Sequence, residues 1–186
     1  MKTDITRVLM EEHQLILRMI TLLEHNTARA ERGDFTEWNF FADALDFIRT
    51  FADRCHHAKE ENVLFSALVV NGMPEQRSPI EAMHIEHEQG RAHVRAMDSA
   101  LKQIEAGDMK QVPTLADHAR AYAELLRQHI HKEDTILYPL AERVMPEDMR
   151  PGILDKYIQA HTHAPQVAQK YRALVEHYEA AHSAAA

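Results

Sequence analysis

A chain of 186 residues with a formal charge of -8 is long enough to enclose a water-excluding core without staples. It has no Lys/Arg-rich run of the kind on which phosphate-backbone binding rests, so nucleic acid is set aside as a partner. Neither the opening MKTDITRVLMEEHQ nor any later stretch approaches the ~20 apolar residues of a membrane span, and a single cysteine, Cys55, forms no internal disulfide. The expected location is cytoplasmic, with no membrane partner.

Five glycines among many Ala, Leu, Glu and Met, and no sustained period-two alternation, predict an all-α fold. The first helix is expected from Thr3 or Asp4 to a stop at Gly33. The second begins near Asp34 to Thr36 and ends at Asn71-Gly72, both suited to left-handed caps. Ser78-Pro79-Ile80-Glu81 reads as a capping box with Pro at the first helical position, opening a third helix that ends near Gly107. The fourth starts around Pro113 or Thr114 and is stopped by Met145-Pro146. Four long helices joined by short turns predict an antiparallel up-down-up-down four-helix bundle over residues 1–145. Residues 146–186 are expected to form a C-terminal helical extension packed on the bundle, broken near Pro151-Gly152 and Pro165 and ending in a frayed SAAA tail.

The core face of each helix follows steps of three and four residues. The first helix gives Leu9, His13, Ile16, Ile20, Leu23; the second gives Phe41, Leu45, Ile48, Ala52, His56, Glu60 and Val63 or Leu64. The third gives Ile80, Met83, His87, Gly90, Val94, Met97, Leu101, Ile104; the fourth gives Leu115, Ala119, Tyr122, Leu126, His129, Glu133, Ile136, Leu140. Each stripe is apolar except at His13, at His56 with Glu60, at His87, and at His129 with Glu133.

These interruptions share one height. From a turn centred near residue 34, His13 lies 21 residues away and His56 and Glu60 lie 22 and 26 away. From a turn near 110, His87 lies 23 away, and His129 and Glu133 lie 19 and 23 away. At a rise of ~1.5 Å per residue, the members of each pair agree within about a turn. Four imidazoles and two carboxylates therefore converge in the bundle interior, where unpaired carboxylates cost several kcal/mol or more unless a cation compensates them. A metal-free polar layer, held by hydrogen bonds alone, is the bland alternative.

The repeated frame supports the metal. HHAKEENVLF (56–65) and HIHKEDTILY (129–138) share His, Lys, Glu, Leu and an aromatic at matching places, with an acid at the sixth. The i, i+4 spacing stacks His and Glu one turn apart, so one helix offers a nitrogen to one metal and a bridging oxygen to a second. No thiolate stands in the ligand frame, and mixed imidazole and carboxylate ligation suits iron or manganese, with zinc a possible substitute. A ferritin-like site wants paired Glu-x-x-His motifs. Glu81-x-x-His84 and Glu179-x-x-His182 alone have that spacing, the first in a cap and the second in the tail.

With His13 in the first helix and MHIEHEQG in the third, the two decamers resemble the hemerythrin-like HHE cation-binding domain, whose pattern is H, HxxxE, H, HxxxE, over roughly residues 5 to 142. The resemblance implies two non-haem irons, oxo- or hydroxo-bridged, held by His13, His56, Glu60, His87, His129 and Glu133, with both Glu bridging. The stretch IEHEQG looks most like the branch of RIC-type iron-centre repair proteins. Oxygen-carrying hemerythrins differ in placing two His four apart on the third helix and His-x-x-x-x-Asp on the fourth. The expected function is to sense or handle O2, NO or peroxide, or to supply iron under oxidative or nitrosative stress, with enzymatic activity left open. A reversible oxygen store and a metal-gated interaction module are the alternatives, and monomer or dimer is open.

The remaining polar positions are read more plainly. His57 and Glu61 point about 100° away from the ligand pair, toward the surface or behind the ligands. His84 is read as a helix-flank histidine rather than an extra ligand, and Cys55 as a half-buried thiol. Gly90 stands between tight helix packing and room for an exogenous ligand. Tyr122 and Tyr138 are within reach of the site's surroundings. His25, His93, His118, His131, His161, His163, His177 and His182 are taken as surface.

Overall fold

Local chemistry sets the helix ends in the computed structural model, which describes residues 3–159 and 164–185. Asp4 Oδ1 accepts the N–H groups of Thr6 and Arg7, donors left over at the start of α1 (Arg7–Arg32). Gly33 ends α1 with a left-handed φ of 77°, and its N–H and that of Asp34 turn back to the carbonyls of Ala30 and Arg29. A residue without Cβ adopts that conformation at little cost.

The second rod begins a few residues later than expected, at α2 (Asn39–Phe47), where Phe35, Trp38 and Phe41 pack edge to face or stacked. It stays helical through two π-helical stretches, Ile48–His57 and Glu60–Phe65, into α3 (Ser66–Val70). The third rod is α4 (Pro79–Glu105). Ser78 Oγ accepts from the Glu81 N–H, and the Glu81 carboxylate accepts from the Arg77 N–H. The fourth rod comprises α5 (Val112–Lys132), a π-helical turn at Glu133–Leu137, and α6 (Tyr138–Val144), with the chain leaving helix at Met145 ahead of Pro146.

The described residues contain helices and no strand, and the four rods form an antiparallel bundle in which α5 packs along both α4 and α1. Two apolar clusters fill it. One joins Ile16, Ile20, Phe47, Phe51, Val94, Met97, Ala119 and Leu126; the other joins Ile5, Leu9, Leu64, Phe65, Ile80, Met83, Leu137 and Tyr138. The predicted polar layer lies between them. One part of the predicted stripe shifts: Ile136 is 57% exposed and Leu140 half-buried, whereas Leu137, Tyr138 and Ala141 are buried. The π-helical turn at Glu133–Leu137 takes an extra residue, so the inward face advances by one position beyond Glu133.

Beyond the bundle lie α7 (Arg150–Gln159) and α8 (Ala164–Ala185). Pro151-Gly152 does not break a helix but sits in the first turn of α7, where the missing N–H of proline has no intrahelical partner to lose. Pro165 lies in the first turn of α8, which continues to Ala185 where fraying was expected. His161 and His163 lie outside the described residues. Tyr171 and Val175 of α8 join the cluster at Phe47 and Phe51, and Arg18 forks onto Glu179 at 2.9 and 2.6 Å. Ile153 and Tyr157 of α7 join the other cluster. Arg150 is fully buried and donates to the carbonyls of Thr3, Glu142 and Met145 and to the Glu142 carboxylate, which satisfies a charge that burial would otherwise penalise.

Candidate metal centre

The structure brings all six side chains singled out from the sequence into one layer: His13, His56, Glu60, His87, His129 and Glu133 are each at most 2% exposed. The two carboxylates span the cluster. Glu60 lies 3.7 Å from His56 Nε2 through Oε1 and 3.5 Å from His87 Nε2 through Oε2. Glu133 Oε2 lies 3.2 Å from His13 Nε2 and 3.3 Å from His129 Nε2. Potential ligand atoms converge in two groups that share Glu60: His13, His56, Glu60 and Glu133 in one, and His57, Glu60, His87 and His129 in the other.

His57 is where the structure departs from the sequence reading. It is 6% exposed, stacks on His87 with ring centroids 3.8 Å apart, and joins the second group instead of pointing to the surface. The ideal 100° step of an α-helix turned it away. In the chain, Ile48–His57 is π-helical, and this wider winding brings both members of the His56-His57 pair inward. Glu61, by contrast, enters neither group and meets His87 from behind.

Every imidazole of the cluster is held from behind by a carboxylate at Nδ1. The pairs are His13 with Asp134 at 2.8 Å, His56 with Glu12 at 3.1 Å, His57 with Asp53 at 3.4 Å, His87 with Glu61 at 2.7 Å and His129 with Glu86 at 3.0 Å. A carboxylate accepts and does not donate, so each pair assigns the proton to Nδ1 and leaves the Nε2 lone pair facing inward. Cations hold the carboxylates in turn: Lys59 donates to Glu12, Lys132 to Glu86, and Arg91 to Asp53 and Glu61. These partners were not found from sequence. The shared Lys at the fourth place and acid at the sixth place of the decamers were their signal, since Lys59 and Lys132 fill the one and Glu61 and Asp134 the other.

The donor set fits a cation. His87 Nε2 and His129 Nε2 face each other at 3.0 Å, two lone pairs that repel unless positive charge lies between them. Glu60 Oε2 and both oxygens of Glu133 are buried without a hydrogen-bond partner, although imidazole nitrogens approach them. Oxygens and nitrogens that come close but are not aligned with one another share a direction, as ligands of a common ion do. Electrostatics agree. Burial, together with a neighbouring imidazole, pushes His56 and His57 down to about 4 and His87 to about 3, which keeps them neutral donors at pH 7. Against burial, Asp134 and Glu133 raise His13, and Glu133 and Glu86 raise His129 to about 9. Burial and the Glu133 charge drive Glu60 well up, while His129 and His13 hold Glu133 well down. The cluster thus requires positive charge, whether as protons or as metal.

Tyr138 donates to Glu60 Oε1 and lies 3.4 Å from His13 Nε2, so it belongs to the immediate surroundings of the first group. His84 is half-buried, meets Phe65 edge to face and enters neither group. Cys55 is half-buried, and burial raises its thiol. Two pairs of histidines read as surface are half-buried partners instead: His25 with His182, and His93 with His118, whose Nδ1 atoms are 3.0 Å apart. Gly90 faces Tyr122, and a Cβ there would meet Tyr122 Cε2 at 3.5 Å, an ordinary contact, so tight packing does not demand the glycine.

Comparison with known proteins agrees with this geometry. Curated proteins of Mycobacterium tuberculosis and Mycobacterium bovis, described as uncharacterized, are 25% identical over 137 residues. The match covers 74% of this chain and 53% of theirs, so the chain spans about half the length of the curated relatives it matches. No solved structure matches. Among the described residues no helix is long and apolar enough to cross a membrane. Residues 4–141 match the hemerythrin HHE cation binding domain, and with its His and Glu side chains gathered between two apolar clusters, the chain belongs to that family.

Proposed function

We propose that the layer holds two non-haem irons, one against His13 and His56 and the other against His57, His87 and His129, with Glu60 and Glu133 bridging. The observation that carries this reading is the set of five Nδ1–carboxylate pairs, which frees the Nε2 atoms to face inward, those of His13, His56, His87 and His129 lying within 3.7 Å of Glu60 or Glu133. Manganese and zinc accept the same donors, and iron is favoured by the mixture of imidazole and carboxylate and by the family. When bound, the metals supply open coordination positions and redox capacity. The protein's own part is to orient the imidazoles, keep Tyr138 as a proton donor at Glu60 and exclude bulk water from the layer.

On this reading the chain is cytoplasmic and senses or handles O2, NO or peroxide, or supplies iron under oxidative or nitrosative stress, as the likeness to the repair branch suggests. Residues 1–145 form the metal-binding unit and 146–186 an extension on it. The test is metal content per chain on anaerobically purified protein, with Mössbauer spectra of the iron-57 form, followed by stopped-flow mixing of the reduced protein with O2, NO and H2O2. Two coupled irons and a spectral response to at least one ligand are expected. A single zinc, or irons inert to all three, would overturn the proposal.

A further inference from the structure

A cavity of about 240 Å³ reaches from the surface to the second ligand group, where His57, His87 and His129 form its inner wall. Ile48, Gly90, Val94, Tyr122, Leu125 and Leu126 make its sides apolar. The volume equals roughly eight molecules of liquid water at ~30 Å³ each, far more than a diatomic fills, and lies just below the usual range for small organic ligands. Four arginines line the same cavity: Arg49, Arg54, Arg91 and Arg95. Arg49 is paired with Asp98, and Arg91 with Asp53, Glu61 and Glu88. The lining acids are engaged too, Asp53 by Arg91 and His57 and Glu86 by His129 and Lys132. Arg54 and Arg95 are exposed and have no ion-pair partner among the described residues.

We propose that this cavity binds a small amphiphilic anion, a carboxylate with a medium-length alkyl body, its head on Arg54 and Arg95 and its body along Gly90, Val94 and Tyr122 toward the metals. The inference rests on the reading of the metal centre in that the inner wall of the cavity is the face of that centre. An anion so placed covers the approach to His57, His87 and His129 and thereby controls what reaches the centre. Gly90 is the position that leaves the channel open: a methyl group there makes an ordinary contact, whereas a longer side chain must enter the cavity.

Octanoate is the probe and 1-octanol its neutral control, titrated calorimetrically into the metal-loaded chain, with metal content measured on each sample. Saturable octanoate binding, stronger than that of octanol, is expected. Reversing both rim charges in R54E/R95E, exposed positions that leave the core untouched, should weaken octanoate at least tenfold, equivalent to ~1.4 kcal/mol, and leave octanol unchanged. Gly90→Leu should abolish binding of both. Absence of saturable octanoate binding, or equal affinity in R54E/R95E, at full metal content overturns this inference and leaves the metal centre standing. Absence of metal from the wild-type chain overturns the metal centre instead, and the cavity is then judged by the same two variants.

Discussion

The two halves of the centre are built alike and finished differently. In one, Glu12 and Lys59 support His56, and Asp134 supports His13; in the other, Glu86 and Lys132 support His129, and Glu61 supports His87. The repeated decamers place His56 and His129, Lys59 and Lys132, and Glu61 and Asp134 at matching positions, and a Glu-His pair on the first and third rods supplies Glu12 with His13 and Glu86 with His87. Three substitutions separate the halves. His57 corresponds to Ile130, so the second half gains an imidazole. Tyr138 corresponds to Phe65, so a hydroxyl reaches Glu60 beside His13, whereas an apolar ring stands at the matching place beside His87. Gly90, three residues after His87, corresponds to Ile16, three after His13, so one half opens to a cavity and the other is packed shut. A common supporting frame thus carries one closed half and one open half. On that frame the open half has more imidazoles and is the one the cavity reaches.

Acidification breaks both halves together and has the largest expected effect. His56, His57 and His87 lie below their unfolded value of 6.5, so the stability they contribute is complete above pH 6.5 and is lost as pH falls toward about 4. Glu12 and Glu61, lowered from 4.5 to about 2, extend the loss to lower pH. His13 and His129, which are raised, act oppositely and lose their contribution only as pH rises, through about 9 for His129. Protons also displace metal from imidazoles. Thermal melts with parallel metal assays should show a lower melting temperature and released metal at pH 4 relative to pH 7; equal melts would contradict the assignment.

His57→Ile separates the halves, because it gives the open half the residue found at Ile130. One of the two metals should leave or weaken more than tenfold while the other stays, read by equilibrium dialysis. Unchanged stoichiometry and affinity would remove His57 from the ligand set. Glu12→Ala and Glu86→Ala compare the supporting frames directly. Each should cost about 10- to 100-fold in affinity at its own half, the usual effect of removing a partner behind a ligating imidazole. An effect of E12A or E86A on neither half would show that the frame is ornamental to binding.

Tyr138→Phe makes the first half resemble the second and is the mildest change. It removes one donor to Glu60 and should cost about 1–3 kcal/mol of stability in urea unfolding with metal content preserved. Loss of metal from the Phe variant would make Tyr138 a ligand rather than a supporting donor.

The sequence by itself determined the four rods, the caps at Gly33 and Ser78 and the height of the polar layer, but not the start of the second rod at Asn39. Helical periodicity, Gly33 and the box at Ser78 are local properties, and equal distances from a turn fix which residues meet in antiparallel helices. It also singled out the six polar side chains that the structure gathers in one buried layer, because a polar group in an apolar stripe stands out at fixed spacing. The tertiary structure alone decided the rest. The π-helical winding that turned His57 inward and moved the stripe from Ile136 to Leu137 depends on packing around the centre, not on local propensity. The pairing of Glu12, Glu61, Glu86 and Asp134 with imidazoles crosses between rods, and charged residues on a helix flank look the same in sequence whether they meet water or a histidine. The cavity at Gly90 is likewise a property of three rods at once, since the space a glycine leaves is filled or kept open by its neighbours on other helices.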